Sequence, residues 1–307
     1  MELIPSFLIT VGLAYATPSV SKDEQIEDEA PRSRRRRKRS VYIERPLEYT
    51  EASSGHVRSL LHPHQRLKRF HVPLCPESWF FVGVTKSGKT VALRSIFKCY
   101  ASVSYFKHGI AFSMTAQTSG DLDFLPTKHI HFPDPELLDR HITGIRYLAY
   151  YYAKKKWGPP PPNFIIFDDC QSLLGGRSSS ELLLNFMGNF RWPNCSVFWL
   201  FQRYTGAATM CRDNSQKILM YQTPGRPAIQ AMHSEYGLYL PESLQKFDDY
   251  KRFIAHNVLD HKCLLYINDT VHPEYWLYKS DKVDPGSFKL YGSKRKHRST
   301  ASIVEID

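Results

Sequence analysis

Phe80-Phe81-Val82-Gly83-Val84-Thr85-Lys86-Ser87-Gly88-Lys89-Thr90 decides how the rest of the chain is read, because an apolar run feeds Gly-x-x-x-x-Gly-Lys-Thr, the Walker A pattern. A buried strand delivers the chain to a loop that must wrap closely around a phosphate chain, with consecutive backbone N–H groups pointing inward. Gly83 and Gly88 permit that path where a Cβ would obstruct it. Gly83, Val84, Thr85, Lys86, Ser87, Gly88, Lys89 and Thr90 are therefore the candidate nucleotide-binding residues. The spacing assigns Lys89 to the β- and γ-phosphates of ATP and the Thr90 hydroxyl to Mg²⁺. Residues 90–100 are expected to form a helix whose positive N-terminal end faces the anion. The alternative is a Gly-Lys turn between strand and helix with no ligand.

Downstream, Phe164-Ile165-Ile166-Phe167-Asp168-Asp169 is an apolar strand ending in two carboxylates, the Walker B pattern. Beside a phosphate loop, Asp168 orients Mg²⁺ directly or through water, and Asp169 holds or deprotonates the attacking water. Alone, the same residues read as a strand followed by an N-cap aspartate. Ser196-Val197-Phe198-Trp199-Leu200-Phe201-Gln202-Arg203 is a second core strand, and it terminates in a glutamine. An amide there can orient water and sense loss of the γ-phosphate; the plainer reading is that Gln202 begins a loop. Arg212-Asp213-Asn214 precedes a further strand at residues 217–221. Arg212 could reach the nucleotide of a neighbouring subunit as an arginine finger, or could pair with Asp213 or an acidic surface.

Between these motifs the periodicity alternates strand and helix. Residues 108–115 and 129–132 read as short strands. Residues 135–157 read as a helix with Asp134 as N-cap and Pro135 at its first position. That helix ends in Lys154-Lys155-Lys156, which suits the negative end of the dipole and could alternatively touch DNA. Ser178 or Ser179 is expected to cap a helix through Leu182, Leu183, Phe186 and Met187. Residues 241–256 read as one amphipathic helix, and residues 263–267 and 275–278 as two last strands. This order of parts predicts an α/β domain with a central, mostly parallel sheet flanked by helices.

The 307 residues, 42% hydrophobic and 13% aromatic, can bury one sizeable core with extensions, which excludes a wholly disordered chain. The net charge of +11 sits in two runs: residues 32–39 (RSRRRRKR) carry seven positive charges and residues 294–298 (KRKHR) four, leaving the remainder neutral. Such runs act as nuclear import signals, as tethers to phosphates, or as solvated tails. The expected division is an apolar N-terminus and disordered basic segment over 1–60, an ATPase domain over 61–280 and a basic tail over 281–307. Six scattered cysteines show no zinc spacing, and a reducing compartment is the simpler reading. Residues 3–16 resemble the core of a signal peptide but lack a positive n-region, and the run is short for a bilayer span. If they did act as a signal, the arginine run would become a convertase site and the protein would be secreted or membrane-directed.

With Gly83 to Thr90, Phe167-Asp168-Asp169 and Phe201-Gln202-Arg203 together, residues 70–280 resemble the FtsK/HerA superfamily of RecA-like P-loop NTPases. The compact size and the Arg212-Asp213-Asn214 segment look like the poxvirus-type genome-packaging ATPases also carried by polintons, adintoviruses and virophages. That resemblance implies ATP and Mg²⁺ as ligands, Lys89, Asp168, Asp169, Gln202 and Arg212 in catalysis, and Thr90 and Asp168 at the metal. It implies a homo-oligomeric ring, often a hexamer, that pulls double-stranded DNA into a capsid, with capsid or portal-vertex proteins as partners. It implies no stable membrane insertion and, with the basic run, a place in the host nucleus or the virion. The chain departs from the pattern at Asp169, where many relatives use the longer Glu. A non-packaging DNA pump or helicase and a catalytically weak nucleotide-binding adaptor are the competing readings.

Overall fold

The structure is a computed structural model that describes residues 53–60, 68–174, 181–207, 209–223, 225–268 and 273–290. The chain opens with β1 (Ser53–Ser59) and β2 (Lys68–His71), then β3 (Ser78–Val82), α1 (Lys89–Ser102) and β4 (His108–Ser113). A single turn α2 (Ala116–Ser119), β5 (Ile130–His131), α3 (Pro135–Lys155) and β6 (Asn163–Asp168) follow. Next come α4 (Gln171–Leu174), α5 (Glu181–Asn189), β7 (Cys195–Phe201), α6 (Thr209–Asp213) and β8 (Lys217–Met220). The last elements are α7 (Arg226–Tyr236), α8 (Phe247–Asn257), β9 (Lys262–Ile267) and β10 (Glu274–Ser280).

The ten strands among the described residues form one sheet in the order β2-β1-β10-β9-β8-β3-β7-β6-β4-β5. From β8 to β5 every pairing is parallel, while β9, β10, β1 and β2 extend the sheet with antiparallel pairings. The unbroken apolar runs have a simple cause: the central strands are covered on both faces. Phe80, Val82, Ile165, Phe167, Val197 and Trp199 pack toward α3, α5, α7 and α8. Their neighbours Trp79, Phe81, Phe164, Ile166, Phe198 and Leu200 pack toward α1, where Leu93, Ile96, Phe97 and Tyr100 are buried. At about 25 cal/mol per Å², each such large side chain contributes roughly 1.5–3 kcal/mol.

Local signals explain the best-read elements. Asp134 accepts from the N–H groups of Glu136 and Leu137 at 2.9 and 3.3 Å, which starts α3 as its sequence predicts. At the other end Lys156 takes the left-handed cap, its N–H bonding Ala153 and Tyr152 carbonyls, and the Lys155 ammonium lies over the Tyr151 ring. The lysine triplet thus closes a helix.

Other segments differ from expectation. The sheet reaches upstream of residue 61, because β1 pairs with β10 from Gly55↔Ser280 to Ser59↔Trp276. It also holds the start of the C-terminal segment: Asp281 N–H donates to Ser54 O at 3.0 Å, Leu290 N–H to Phe124 O at 3.0 Å, and Phe288 stacks on Phe124. The amphipathic stretch 241–256 is broken into a 3₁₀ turn (Glu242–Leu244) and α8, because Lys246 is extended at ψ 133°. Helix α7 fills a stretch for which no element was expected. Residues 1–52, 175–180 and 291–307, with the apolar N-terminus, both basic runs and the Ser178/Ser179 cap, lie outside the described residues. Among the described residues, no helix is long and apolar enough to cross a membrane.

Candidate active site

Register brings the motif residues to one edge. Val82 of β3 pairs with Phe201 of β7 and Met220 of β8, and Asp168 of β6 pairs with Leu200 of β7 and Ser113 of β4. The segments leaving β3, β7, β6 and β4 therefore emerge side by side at the carboxyl edge of the parallel sheet, where open α/β sheets bind ligands. Since β7 lies between β3 and β6, Gln202 is inserted between the glycine loop and the two aspartates.

The glycine loop is anchored before it turns. Gly83 N–H donates to Phe201 O and Val84 N–H to Gln222 O, each at 3.1 Å, and Ser87 N–H donates to Val84 O at 3.2 Å. A Cβ on Gly83 would stand 2.5 Å from Tyr221 Cβ and 2.9 Å from Ser87 Oγ. Lys86 (φ 64°) and Gly88 (φ 113°) have left-handed backbones, and Gly88 caps the N-terminus of α1. The Lys89 ammonium reaches back across the loop to Gly83 O at 2.5 Å and Val84 O at 3.0 Å. Burial pulls its pKa below the usual lysine value, and Asp169 and Asp168 oppose that pull. The cation thus stays inside the loop, with the two carboxylates as its electrostatic counterweight.

The carboxylates differ in environment. Ser113 Oγ donates to Asp168 Oδ2 at 2.8 Å while accepting from the N–H groups of Thr115 and Ala116. Burial pushes the Asp168 carboxyl up to about 6; the Ser113 bond lowers it, and Asp169 raises it further. A carboxyl so placed gains from a cation. Asp169 sits at φ 52°, with its N–H donating to Leu200 O at 3.0 Å. Left-handed backbone at a non-glycine residue costs on the order of 1 kcal/mol or more and is retained where surrounding structure enforces it. Its Oδ2 accepts from Gln202 Nε2 at 2.6 Å, while Oδ1 is buried with no partner among the described residues. Asp169, Gln171, Gln202 and Arg203 line a cleft of about 270 Å³.

These groups fit a magnesium nucleotide. The orphaned Ser87 Oγ and Asp169 Oδ1 are polar atoms able to take an external partner, and the Lys89 ammonium supplies positive charge at the same loop. Among the described residues no group of three or more His, Cys, Asp or Glu could hold a metal. Magnesium suits that sparse donor set, since it takes one or two protein oxygens and completes its shell with phosphate and water. Thr90 and Asp168 would be those protein ligands.

Arg212 is engaged inside its own chain. From α6 its Nε donates to Glu235 Oε1 at 3.2 Å, one terminal N–H group to Ala207 O at 2.7 Å and the other to Thr209 Oγ1 at 3.3 Å. Its guanidinium also lies 4.7 Å from the Tyr204 ring centre, and Tyr204 donates its hydroxyl to the other Glu235 oxygen. The acidic partner is therefore Glu235 on α7 rather than Asp213. Sequence reading did not reach Ser113, Gln222, Tyr204 or Glu235, because each meets the motif residues through register or tertiary contact and not through a local motif.

No protein-family model and no curated protein matches the chain. Among solved structures, the chain is similar to EssC (ATPases 2 and 3) from Geobacillus thermodenitrificans, with a TM-score of 0.53 and 9% identity, covering 80% of this chain and 48% of that one. It is also similar to the genome packaging NTPase B204 from Sulfolobus turreted icosahedral virus 2, with a TM-score of 0.48 and 12% identity over 68% of this chain and 100% of that one. EccC (ATPases 2 and 3) from Thermomonospora curvata gives 0.45 and 14% over 72% and 41%. The chain spans about half the length of the EssC chain it matches. At these identities the likeness speaks to architecture, and with the geometry above it makes the chain an α/β P-loop NTPase fold with a large, mostly parallel sheet between layers of helices.

Proposed function

We propose that this chain is a Mg²⁺-dependent ATPase that works as a ring-forming motor on double-stranded DNA, and that its task is to package a viral genome into a capsid. One observation carries the motor reading: Gln202, at the end of the strand inserted between the glycine loop and the aspartates, hydrogen-bonds Asp169. A kinase-like phosphate loop needs no such amide, whereas a motor needs a group that registers the γ-phosphate. The DNA and packaging half rests on the resemblance of the motif set, and the basic runs at residues 32–39 and 294–298 suit a nuclear or virion setting and a polyanionic cargo.

Catalysis on this scaffold is positional and electrostatic. Loop N–H groups and Lys89 hold the phosphates and neutralise their charge. Thr90 and Asp168 would hold Mg²⁺, which would add further neutralisation of the phosphate charge. Asp169 orients the attacking water and accepts its proton, and Gln202 fixes the carboxylate for that task. Gln202 would pass loss of the γ-phosphate to the segment behind it, which is tied through Tyr204 and Arg212 to Glu235 of α7. We assign Arg212 to that linkage, since a trans-acting role would require it to leave Glu235, Ala207 and Tyr204.

DNA-stimulated ATPase activity measured together with oligomer mass tests the proposal. Turnover that rises with double-stranded DNA, falls on Asp169→Asn and accompanies a ring supports it. Nucleotide binding without turnover would instead make the chain an adaptor. A nuclease or membrane partner in pull-down, in place of a capsid protein, would make it a non-packaging pump.

A further inference from the structure

The glycine loop is flanked on its other side by a turn that the mechanism above leaves unused. Between α8 and β9 the chain passes through Leu259-Asp260-His261, closed by the Lys262 N–H donating to Leu259 O at 2.9 Å. Asp260 has φ 53° and His261 φ 63°, two successive non-glycine residues in the left-handed region. Such strain persists where the surrounding structure enforces it, and it concentrates at ligand sites. Strand β9 runs antiparallel beside β8, with Met220↔Leu264 in register, so this turn stands at the same sheet edge as the glycine loop. His261 is exposed, yet it lies against the loop: a Cβ on Gly88 would be 3.0 Å from His261 Cβ and 3.2 Å from its Nδ1.

Strand order fixes which way a bound nucleotide runs. Asp168, Asp169 and Gln202 belong to β6 and β7, on one side of β3, while β8 and β9 lie on the other. The reacting γ-phosphate belongs beside the carboxylates, so the α-phosphate leads toward β8 and β9, and the nucleoside emerges there. We propose that His261 forms the nucleoside subsite of this centre, its imidazole packing on the base of a bound purine nucleotide. The inference rests on residues 83–90 binding the triphosphate. On that side Tyr221 and Gln222, which follow β8, pack against Gly83 at the start of the loop, while the exposed imidazole of His261 lies beside Gly88 at its end and is the flat, partly polar surface there. The strained turn holds it there before any ligand arrives.

Calorimetric titration of the full chain with Mg²⁺ and either ATP or inorganic tripolyphosphate tests this. His261→Asn removes the ring while keeping a residue that tolerates the left-handed backbone, and His261→Gly removes it while releasing the strain. Without a ring for the base to stack on, both variants should bind ATP roughly 10-fold more weakly or worse. Tripolyphosphate affinity should stay within about twofold, whereas Lys89→Ala should weaken both ligands. Unchanged ATP affinity in the two His261 variants overturns the proposal. Equal weakening of ATP and tripolyphosphate also overturns it, because the ring would then be acting on the loop. Wild-type protein that binds tripolyphosphate as tightly as ATP has no nucleoside subsite. Wild-type protein that binds neither ligand overturns the triphosphate reading itself.

Discussion

Gln202 Nε2 donates to Asp169 Oδ2 at 2.6 Å, joining the ends of two adjacent parallel strands at the edge where the glycine loop emerges. The bond uses one carboxylate oxygen and leaves the other buried with no partner among the described residues. Asp169 is thereby aimed, with one oxygen held by the amide and the other left for an external partner.

The amide–carboxylate pair predicts opposite behaviour for two isosteric changes. Asp169→Asn keeps the shape but removes the base, so turnover should fall by about 10²–10⁴ while the affinity for Mg²⁺-ATP changes little. Gln202→Glu puts a second carboxylate against Asp169, and like charges that close raise the pKa of one of them. Its turnover should therefore be lowest at neutral pH and partly recover on mild acidification, when one carboxyl is protonated and can donate. A pH–rate profile of the three proteins checks both expectations, and a flat profile for Gln202→Glu would contradict the pairing.

Arg212 has a structural task that a monomer can report. Its side chain is 14% exposed and that of Glu235 28%, so removing the guanidinium leaves a carboxylate and the Ala207 carbonyl poorly compensated. Arg212→Ala should destabilise the isolated chain by about 2–4 kcal/mol. Arg212→Lys should recover little of that, because a point charge cannot serve Glu235, Ala207 and the Tyr204 ring together. Thermal melts decide the matter. An unchanged melting temperature for Arg212→Ala would contradict the structural task.

The parts legible in the sequence were those where local chemistry and tertiary role coincide. SWFFV and NFIIFD are buried on both faces, so their apolar runs declare central strands, and Asp134 caps α3 by a bond reaching only three residues. Strands β1 and β2 were not legible, because SSGHVRS and KRFH each bury a single large apolar side chain, Val57 and Phe70, and owe their form to pairing partners such as Ser280. Helix α7 buries only Met232 and Tyr236 and has no side-chain cap, which leaves its periodicity faint. In the site, the glycine loop, Asp168, Asp169 and Gln202 could be read from spacing. The Ser113–Asp168 bond spans 55 residues and follows from the β4–β6 register, which no local pattern encodes.

His141 makes the fold sensitive to acid. It sits on α3 with its Nε2 shielded, and burial, followed by the nearby His108, His131 and His129, lowers its pKa to about 4. The unfolded chain takes up this proton near pH 6.5, the folded one only near 4, so the unfolded state binds more protons between those values. The contribution is therefore present above pH 6.5 and is lost as pH falls toward 4, to an extent of roughly 3 kcal/mol at most. Urea melts at pH 7 and pH 5 should show a larger loss for the wild type than for His141→Gln. Equal losses would mean that His141 titrates alike in both states.

The two loop glycines should fail for different reasons, and a pair of double-mutant cycles separates them. Gly83 has no room: its Cβ would meet Tyr221 Cβ at 2.5 Å, and Tyr221 belongs to the buried core. Gly83→Ala must push the end of β8 away and strain the Val84–Gln222 bond, an overpacking cost of about 1–3 kcal/mol. Tyr221→Ala cannot relieve it, because alanine retains the clashing Cβ, so that cycle should show no favourable coupling. Gly88 has both a left-handed backbone and a neighbour, His261, at the end of an exposed turn. Gly88→Ala carries the backbone strain whatever its surroundings, but His261→Gly removes the Cβ and Nδ1 it would strike. The second cycle should therefore show a favourable coupling of about 0.5–1 kcal/mol in thermal stability. A coupling of zero there would mean that the turn yields freely and does not hold His261 against the loop.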